Sequence, residues 1–588
     1  MRFMATRRTA RAYSFPAIAA LVLAGCTAGA LGNNDAETTL TDRTGKQGEE
    51  TEGNGRSTVD AIAANVPVSS LASPASVMGL NAVATAARAA GDGRSVDQFR
   101  RTRANELHAA ADPDFNTEGY AGFDDNPFLA ATGNPLSTFS IDVDRASYAN
   151  VRRFLRDGRL PPTDAVRIEE LVNYFTFDDP APAADSPFAV TTELGDAPWR
   201  PGHLLLRIGL QATAVETENM PPSNLVFLMD VSGSMNSPDK LPLLKQAFGL
   251  LVNELGSRDR VAIVVYAGAA GIVLESTRGD RKEQIISAIE RLEAGGSTAG
   301  GAGIRLAYDV AQRNHIEGGN NRVILATDGD FNIGASSDAE MMRLIEEKRG
   351  QGTFLTVLGF GTGNLKDSKM ETLADHGNGN YAYIDGIAEA RKVLVHEMGG
   401  TLLAVAKDVK LQIEFNPSKV RAYRLIGYEN RLLAAEDFND DTKDAGELGA
   451  GHSVTALYEI VPVGAATDVE IRGTDPLRYG TAGERAADSD ELAFVKVRYK
   501  APDGERSQLL EVGVAGRTTT SSADLTFAAA VASFGMLLRE SPHSGNATFD
   551  TVLALARDGM GRDVGGYRAG FLELVETART LATNVPAR

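Results

Sequence analysis

Apolar positions along the chain fall into two contrasting patterns. Leu225–Met229, Arg260–Tyr266, Val323–Ala326 and Phe354–Gly359 are short, nearly continuous apolar runs, as expected of strands buried on both faces of a parallel sheet. Between them, Leu241–Leu255, Lys282–Leu292, Gly303–Gln312, Ala339–Lys348 and Leu365–Asp375 repeat apolar residues at helical spacing. Tyr381–Ile384 and a helix over Ile387–Met398 close the series. Strands alternating with helices predict an α/β layer over 223–400, a mostly parallel Rossmann-like sheet with helices on both faces. From 401 to 518 the pattern changes. Val409–Phe415, Val420–Leu425, His452–Pro462, Ala493–Tyr499 and Gln508–Val514 read as strands of an antiparallel β-sandwich. Residues 519–588 read as a helical segment, with helices over Ser522–Arg539, Ala547–Ala556 and Val564–Leu581.

Upstream of the α/β layer the pattern is mixed. In 119–182, Ser137–Val143 alternates as a strand does, Asp144 is placed to cap a helix over Arg145–Asp157, and Gly158 ends it. Pro161-Pro162 separates this helix from a second over Asp164–Phe175. Asp142 and Asp144 share a strand face, and capping and solvation explain them better than a metal pair. Within 183–222, Phe188–Glu193 and Leu204–Gln211 read as two strands with no sheet of their own. They are expected to pair with the later sandwich, which makes the α/β layer an insertion in it. Trp199, Tyr381 and Tyr383 are expected in the core.

The first 118 residues follow neither pattern. Arg2, Arg7, Arg8 and Arg11 precede a short apolar stretch from Phe15 to Gly25, as in a secretory signal over 1–25. The stretch ends in Leu23-Ala24-Gly25-Cys26, which resembles the bacterial lipobox, and Cys26 is the single cysteine of the chain. The resemblance implies cleavage before Cys26 and lipidation at it. Thr27 in the following position resembles the pattern that sorts to the outer rather than the inner membrane. Residues 26–118, polar at first and Ala-rich later, are expected to be a flexible tether from that anchor.

Composition then narrows the function. The chain has 588 residues, 43% apolar and 23% charged, which supports large packed cores. Its net charge of −19 comes from 59 Lys+Arg against 78 Asp+Glu, the opposite of a nucleic-acid binder. One cysteine permits no internal disulfide and no Cys-based zinc site. The 7 His are scattered, and H-E-x-x-H, G-x-S-x-G and the phosphate-binding G-x-x-x-x-G-K-[ST] are absent from the sequence.

The strongest chemical signal lies just beyond a buried run. Asp230-Val231-Ser232-Gly233-Ser234 directly follows Leu225–Met229, at the carboxyl edge where open α/β sheets bind ligands. Thr298, in Gly295-Gly296-Ser297-Thr298-Ala299-Gly300, and Asp328, after Val323–Ala326, fall at equivalent places. All five groups offer oxygen alone, which suits a hard cation such as Mg²⁺ or Mn²⁺ rather than zinc, for which His or Cys is expected.

In these residues the sequence resembles the von Willebrand factor type A (VWA) domain family over about 224–400. The D-x-S-x-S stretch, the later Thr and the later Asp match that family's metal-ion-dependent adhesion site. The resemblance implies that Ser232, Ser234 and Thr298 coordinate through hydroxyls and that Asp230 and Asp328 act directly or through water. One position is then left for a carboxylate of a protein partner. The flanks, from Asn126-Pro127-Phe128 to Phe177 and over the last ~180 residues, resemble the N-terminal segment and the C-terminal domain of unknown function of a group of bacterial VWA lipoproteins. The expectation is a non-enzymatic envelope lipoprotein, membrane-bound through Cys26, that captures an Asp or Glu of a partner. A metal-dependent hydrolase and a passive scaffold subunit of a larger envelope complex are the alternatives. The helix Ile387–Met398 is the candidate for a conformational switch.

Overall fold

The computed structural model describes residues 117–584 except 142–143, 184–185, 217–218, 298–299, 330, 332–337, 474–488, 503 and 517–520. All of them lie in one unit of the chain, Glu106–Arg588. The signal and its Cys26, nearly all of the expected tether, Asp142 and Thr298 fall outside the described residues. The last two tether residues do not behave as a tether. Thr117 N donates to Gly363 O at 2.9 Å, and Glu118 accepts from the Arg153 guanidinium at 2.9 Å.

The chain begins with β1 (Phe128–Ala130) and β2 (Leu136–Ser140), then α1 (Ala146–Arg156) and α2 (Ile168–Asn173). The strands β3 (Phe188–Asp196) and β4 (Leu204–Ala212) follow. The α/β layer then runs β5 (Ser223–Asp230), α3 (Leu241–Glu254), β6 (Arg260–Tyr266), β7 (Ala270–Arg278), α4 (Lys282–Glu290) and α5 (Gly300–Arg313). It continues through β8 (Asn320–Thr327), α6 (Asp338–Gly350), β9 (Thr353–Phe360), α7 (Asp367–His376) and β10 (Tyr381–Ile384) to α8 (Ile387–Arg391) and α9 (Met398–Leu402). The sandwich strands are β11 (Ala404–Phe415), β12 (Val420–Ile426), β13 (Gly446–Gly449), β14 (Ser453–Pro462), β15 (Ile471–Arg472), β16 (Glu491–Lys500) and β17 (Ser507–Ala515). The chain finishes with α10 (Ala523–Leu538), α11 (Phe549–Asp558) and α12 (Tyr567–Asn584).

The α/β sheet has the order β10-β9-β8-β5-β6-β7, parallel except for β7. Its order reverses at β5, so the end of β5 is a topological switch point. Leu225, Phe227 and Met229 enter one hydrophobic cluster, and Val226 and Leu228 enter another on the opposite face. Burial on both faces is why the run is continuously apolar. β7 was not expected. Its residues are half-buried or exposed, as fits an antiparallel edge strand, and its short apolar stretch, Ile272–Leu274, gives way at once to the polar Glu275–Arg278.

The sandwich is assembled from both sides of the insertion. One sheet has the order β15-β1-β12-β14-β4-β3, and the other joins β13, β11, β16 and β17, with β2 also paired to β11. β4 pairs β14 from Leu204↔Ile460 to Gln211↔Ser453. The segment 119–182 therefore builds no layer of its own. Its two strands complete the sandwich sheets, and its helices share a core with the last three helices, in which Tyr148, Leu171, Phe175, Phe527, Phe534 and Phe571 all lie.

Several local expectations are corrected. Asp144 does not cap α1. It is buried, and its Oδ1 accepts from the backbone N of Tyr381 at 2.8 Å, while the N-cap of α1 is Arg145, with no side-chain cap. The helix predicted over 164–175 is a 3-10 turn, Thr163–Ala165, followed by the short α2. The helix predicted over 387–398 is interrupted by a π-helical stretch, Lys392–His396. Trp199, Tyr381 and Tyr383 are buried as expected.

Charge joins the N-terminal helices to the α/β layer. Arg167, 2% exposed, reaches Glu170 at 2.7 Å, Asp367 at 2.6 Å and Glu371 at 2.9 Å. Asp367 also accepts from Tyr381 Oη at 2.9 Å, and Glu170 from Ser147 N at 2.8 Å. On α1, Arg152 pairs with Asp385 and Glu389, both at 2.6 Å. Removing one partner of a buried ion cluster leaves uncompensated charge, which costs about 3–5 kcal/mol. Arg167→Met is therefore expected to lower the unfolding free energy by that amount in urea titrations. Arg156→Ala, whose side chain is 64% exposed, is expected to change it by less than about 0.5 kcal/mol.

Candidate metal centre

The end of β5 places Asp230 at the switch point, fully buried. Parallel pairing sets Asp230 beside Tyr266, the last residue of β6. Tyr266 Oη donates to Asp230 Oδ2 at 3.1 Å, Thr327 Oγ1 donates to the same oxygen at 3.2 Å, and Ser232 N donates to Oδ1 at 2.9 Å. The chain then turns through a 3-10 helix, Gly233–Asn236. This turn brings the hydroxyls of Ser232 and Ser234 to 3.1 Å from each other.

The loop that carries Thr298 in sequence is stitched to this turn by its backbone. Gly233 N donates to Gly296 O at 3.0 Å, and Gly295 N to Val231 O at 2.8 Å. Thr298 itself is outside the described residues. Beyond that loop α5 packs close to Tyr266: a Cβ at Gly303 would lie 2.9 Å from the Tyr266 Cβ. Glycine at 303 thus allows the tyrosine to keep its place against Asp230.

Asp328 follows β8, buried, with its charge matched. Lys240 Nζ donates to Asp328 Oδ2 at 2.9 Å and to Asn364 Oδ1 at 3.1 Å. The lysine stem crosses Gly361, where a Cβ would meet it and where φ is +72°. Glycine meets both requirements.

The two carboxylates sit in opposite electrostatic states. Burial pushes Asp328 up, but hydrogen bonds from Asn364, Lys240 and Ser234 outweigh it and hold the carboxyl below its ordinary value. Burial pushes Asp230 up to about 6, Asp328 adds to the rise, and the hydrogen bonds from Ser232 and Tyr266 only partly offset it. Ser232, Tyr266 and Thr327, which donate to Asp230, are all neutral. A buried carboxylate solvated by neutral groups, next to a pair of hydroxyls, is a donor set that fits a hard divalent cation.

The structure thus brings Asp230, Ser232 and Ser234 together on one loop and sets Asp328 on the neighbouring strand end. Sequence reading passed over Tyr266, Thr327, Lys240 and Asn364. The parallel register of β5 and β6 could have pointed to Tyr266. Nothing in the spacing marks Lys240, which reaches the site from the start of α3.

Comparison with known proteins shows the family to which these stretches of sequence are similar. Residues 224–393 match the von Willebrand factor type A domain, 114–207 match a model described as von Willebrand factor, and 400–581 match the C-terminal domain of the uncharacterized protein YfbK. The chain is 46% identical to YfbK of Escherichia coli K12 over 489 residues, covering 82% of this chain and 84% of that one. Among solved structures, a von Willebrand factor type A protein from Catenulispora acidiphila shares 18% identity over 67% of this chain and 90% of its own, with a TM-score of 0.37. Proximal thread matrix protein 1 of the mussel byssus, solved with zinc occupying its MIDAS motif, shares 23% identity over 32% of this chain and 46% of its own, with a TM-score of 0.25.

The perturbed Asp230 has a consequence for stability. Its folded value, about 6, lies above the ordinary 3.8, so between these values the folded chain holds a proton that the unfolded chain has released. The contribution is full below the lower value and is lost as pH rises through the upper one. At pH 7 in a chelator, Asp230→Asn is expected to raise the unfolding free energy by about 1–3 kcal/mol. The variant should also be stabilised less than the wild type on acidification from pH 7 to 5, as urea titrations at the two pH values will measure.

Proposed function

This chain belongs to the YfbK family of VWA-domain proteins, and on that footing we propose that it is a non-enzymatic envelope lipoprotein that captures a protein partner through a divalent cation. VWA domains commonly bind a divalent metal at the motif that Asp230, Ser232, Ser234, Thr298 and Asp328 match here. Those five residues would hold the ion, Mg²⁺ or Mn²⁺, and an Asp or Glu of the partner would complete its shell. When bound, the cation supplies a strong, directional attraction for that carboxylate in a partly dry interface.

The observation that carries this reading is Asp230: a buried carboxylate that accepts from the neutral donors Ser232, Tyr266 and Thr327, at the switch point of the sheet and beside two hydroxyls. The chain's own residues prepare the site in two ways. Tyr266 and Thr327 fix one oxygen of Asp230, leaving the loop hydroxyls of Ser232 and Ser234 on the approach side. Lys240 keeps Asp328 ionised and anchored, which lowers the total negative charge the cation must balance. A site with less excess negative charge favours exchange of ligands over permanent trapping of the ion.

The N-terminal features support the placement. A signal over 1–25 and lipidation at Cys26 would hold the N-terminus on a membrane, since each buried CH₂ contributes about 0.8 kcal/mol. We place the protein at the outer membrane, on Thr27. Residues 27–116 then give the folded part reach from the lipid surface.

The test is calorimetric titration of Mg²⁺, Mn²⁺ and Zn²⁺ into the protein, followed by pull-downs from envelope extracts with and without EDTA. Divalent binding, and a captured protein that EDTA releases, are expected. Both should be lost in Asp230→Ala, which should retain its circular dichroism. Metal-independent capture equal in wild type and variant would overturn the proposal.

A further inference from the structure

Between β9 and α7 lies a loop, 361–366, that carries Asn364. Asn364 ties the two charged groups beside the metal motif together. Its Oδ1 accepts from Lys240 Nζ at 3.1 Å, and its side chain also bonds to Asp328. The loop lies close against the backbone that leaves β8. At Gly329, which follows Asp328, a Cβ would come within 2.7 Å of Leu365 Cα and 2.8 Å of Asn364 O. A shift of this loop therefore moves a partner of both Asp328 and Lys240.

The two sides of Asn364 are held differently. On the C-terminal side, Leu365 is buried in the apolar core of the layer. On the N-terminal side, Gly363 has both of its backbone groups taken by the start of the described chain. Gly363 N donates to Glu118 Oε1 at 2.9 Å, and Gly363 O accepts from Thr117 N at 2.9 Å and from Thr117 Oγ1 at 3.1 Å. The pairing continues past Asn364. Gly119 N donates to Leu365 O at 2.9 Å, and Asp367 N to Gly119 O at 3.1 Å. Lys366, bridged in parallel to Gly119, also bonds through Nζ to Thr117 O. Tyr383 Oη holds the start of the loop, donating to Gly361 O at 2.9 Å.

Both chain neighbours of Asn364 are thus bonded to three residues, Thr117–Gly119, which are themselves anchored. The Glu118 carboxylate is buried and accepts from Arg153 of α1 at 2.9 and 3.1 Å and from Tyr120 Oη at 3.1 Å. Helix α1 holds these three residues, they hold the loop, and the loop holds Asn364 on the two charged groups beside the metal motif.

We propose that Thr117–Gly119 is a positioning strap for the metal centre: it keeps Asn364 on Asp328 and Lys240, and so sets the affinity of the site for its cation. This rests on the metal-binding reading above. Groups that orient a metal's ligands from behind govern how tightly the ion is held. With the strap released, the Lys240–Asp328 pair keeps its charge, because that 2.9 Å bond does not involve Asn364. What is lost is the fixed position of Asp328, so the cation binds more weakly. In chain order the strap also stands between Cys26 and the site. On the lipoprotein reading, a pull from the membrane side of the chain reaches the metal centre by way of these three residues.

The experiment titrates Mn²⁺ calorimetrically into the full protein at pH 7, with circular dichroism to confirm folding. Asn364→Ala should weaken Mn²⁺ about tenfold. Thr117→Pro, which removes both Thr117 donors to Gly363 O, should weaken it at least about threefold. Adding Gly119→Pro, which also removes the bond to Leu365 O, should weaken it further. In an Asn364→Ala background the two prolines should change nothing more, because the strap acts through Asn364. A second readout needs no metal. In EDTA, acetylation of Lys240, whose side chain is 9% exposed, should be at least about threefold faster in each variant, as mass spectrometry will measure. The proposal fails if the folded proline variants bind Mn²⁺ as the wild type does or more tightly, or if the prolines and Asn364→Ala weaken it independently. If the wild type binds no Mn²⁺, the metal-binding reading fails instead, and the strap is judged on Lys240: faster acetylation in the proline variants upholds the positioning of Asn364, and unchanged acetylation overturns it.

Discussion

Arg167 holds the molecule's parts in one arrangement. It lies on the short stretch between two N-terminal helices and is surrounded by three carboxylates, two of which belong to α7 of the VWA layer. Such a cluster is poor at adding net stability, because the desolvation of each ion offsets much of the attraction. It is good at rejecting misplacement, since a small shift would strand buried charge. The same helices meet the end of the VWA layer through Arg152 and the C-terminal helices through an apolar core. The N-terminal segment is therefore a joint between the other parts, with charge on one side and hydrophobic contact on the other.

That division of labour suits a binding site at the end of β5. The strand is clamped by apolar residues on both faces, so the loop that leaves it has a fixed origin. Tyr266, Thr327 and the backbone bonds to Gly295 and Gly296 fix its course. Positioning of this kind leaves the two serine hydroxyls and one oxygen of Asp230 as the groups with chemistry to offer. The contrast between Asp230 and Asp328 then follows from the hydrogen bonds of Asn364, Lys240 and Ser234 to Asp328, of which Lys240 also brings a charge.

Much of this was legible in the sequence where a local rule coincided with a global one. The run Leu225–Met229 is continuously apolar because both faces of β5 are covered, and the D-x-S-x-S that follows it sits where such strands bind ligands. Phe188–Glu193 and Leu204–Gln211 announced strands without a sheet, and β14 supplies it. What could not be read depends on long-range pairing. Asp144 resembles a cap until β10 provides a backbone N–H for it. β7 lies at an edge, half in solvent, and its apolar stretch is only three residues long. Lys240 is an ordinary residue in sequence, and only its burial beside Asp328 gives it meaning. The helix read as continuous over 387–398 contains a π-helical stretch, a register change that hydrophobic spacing does not encode.

The interleaved sandwich sets the order in which the chain can mature. β3 and β4 pair as near neighbours in sequence, yet the inner edge of β4 finds its partner only in β14, on the far side of the whole VWA layer. Closing so long a loop costs entropy that grows only slowly with its length, but it makes pairing late. The VWA layer, built from neighbouring strands and helices, can organise meanwhile and draw the two ends of that loop together. A chain emerging from synthesis or a translocation channel therefore completes its middle before its beginning. Until residues 453–462 arrive, one edge of the hairpin is open to any strand that reaches it, so the exposed interval is a natural point for a chaperone to act.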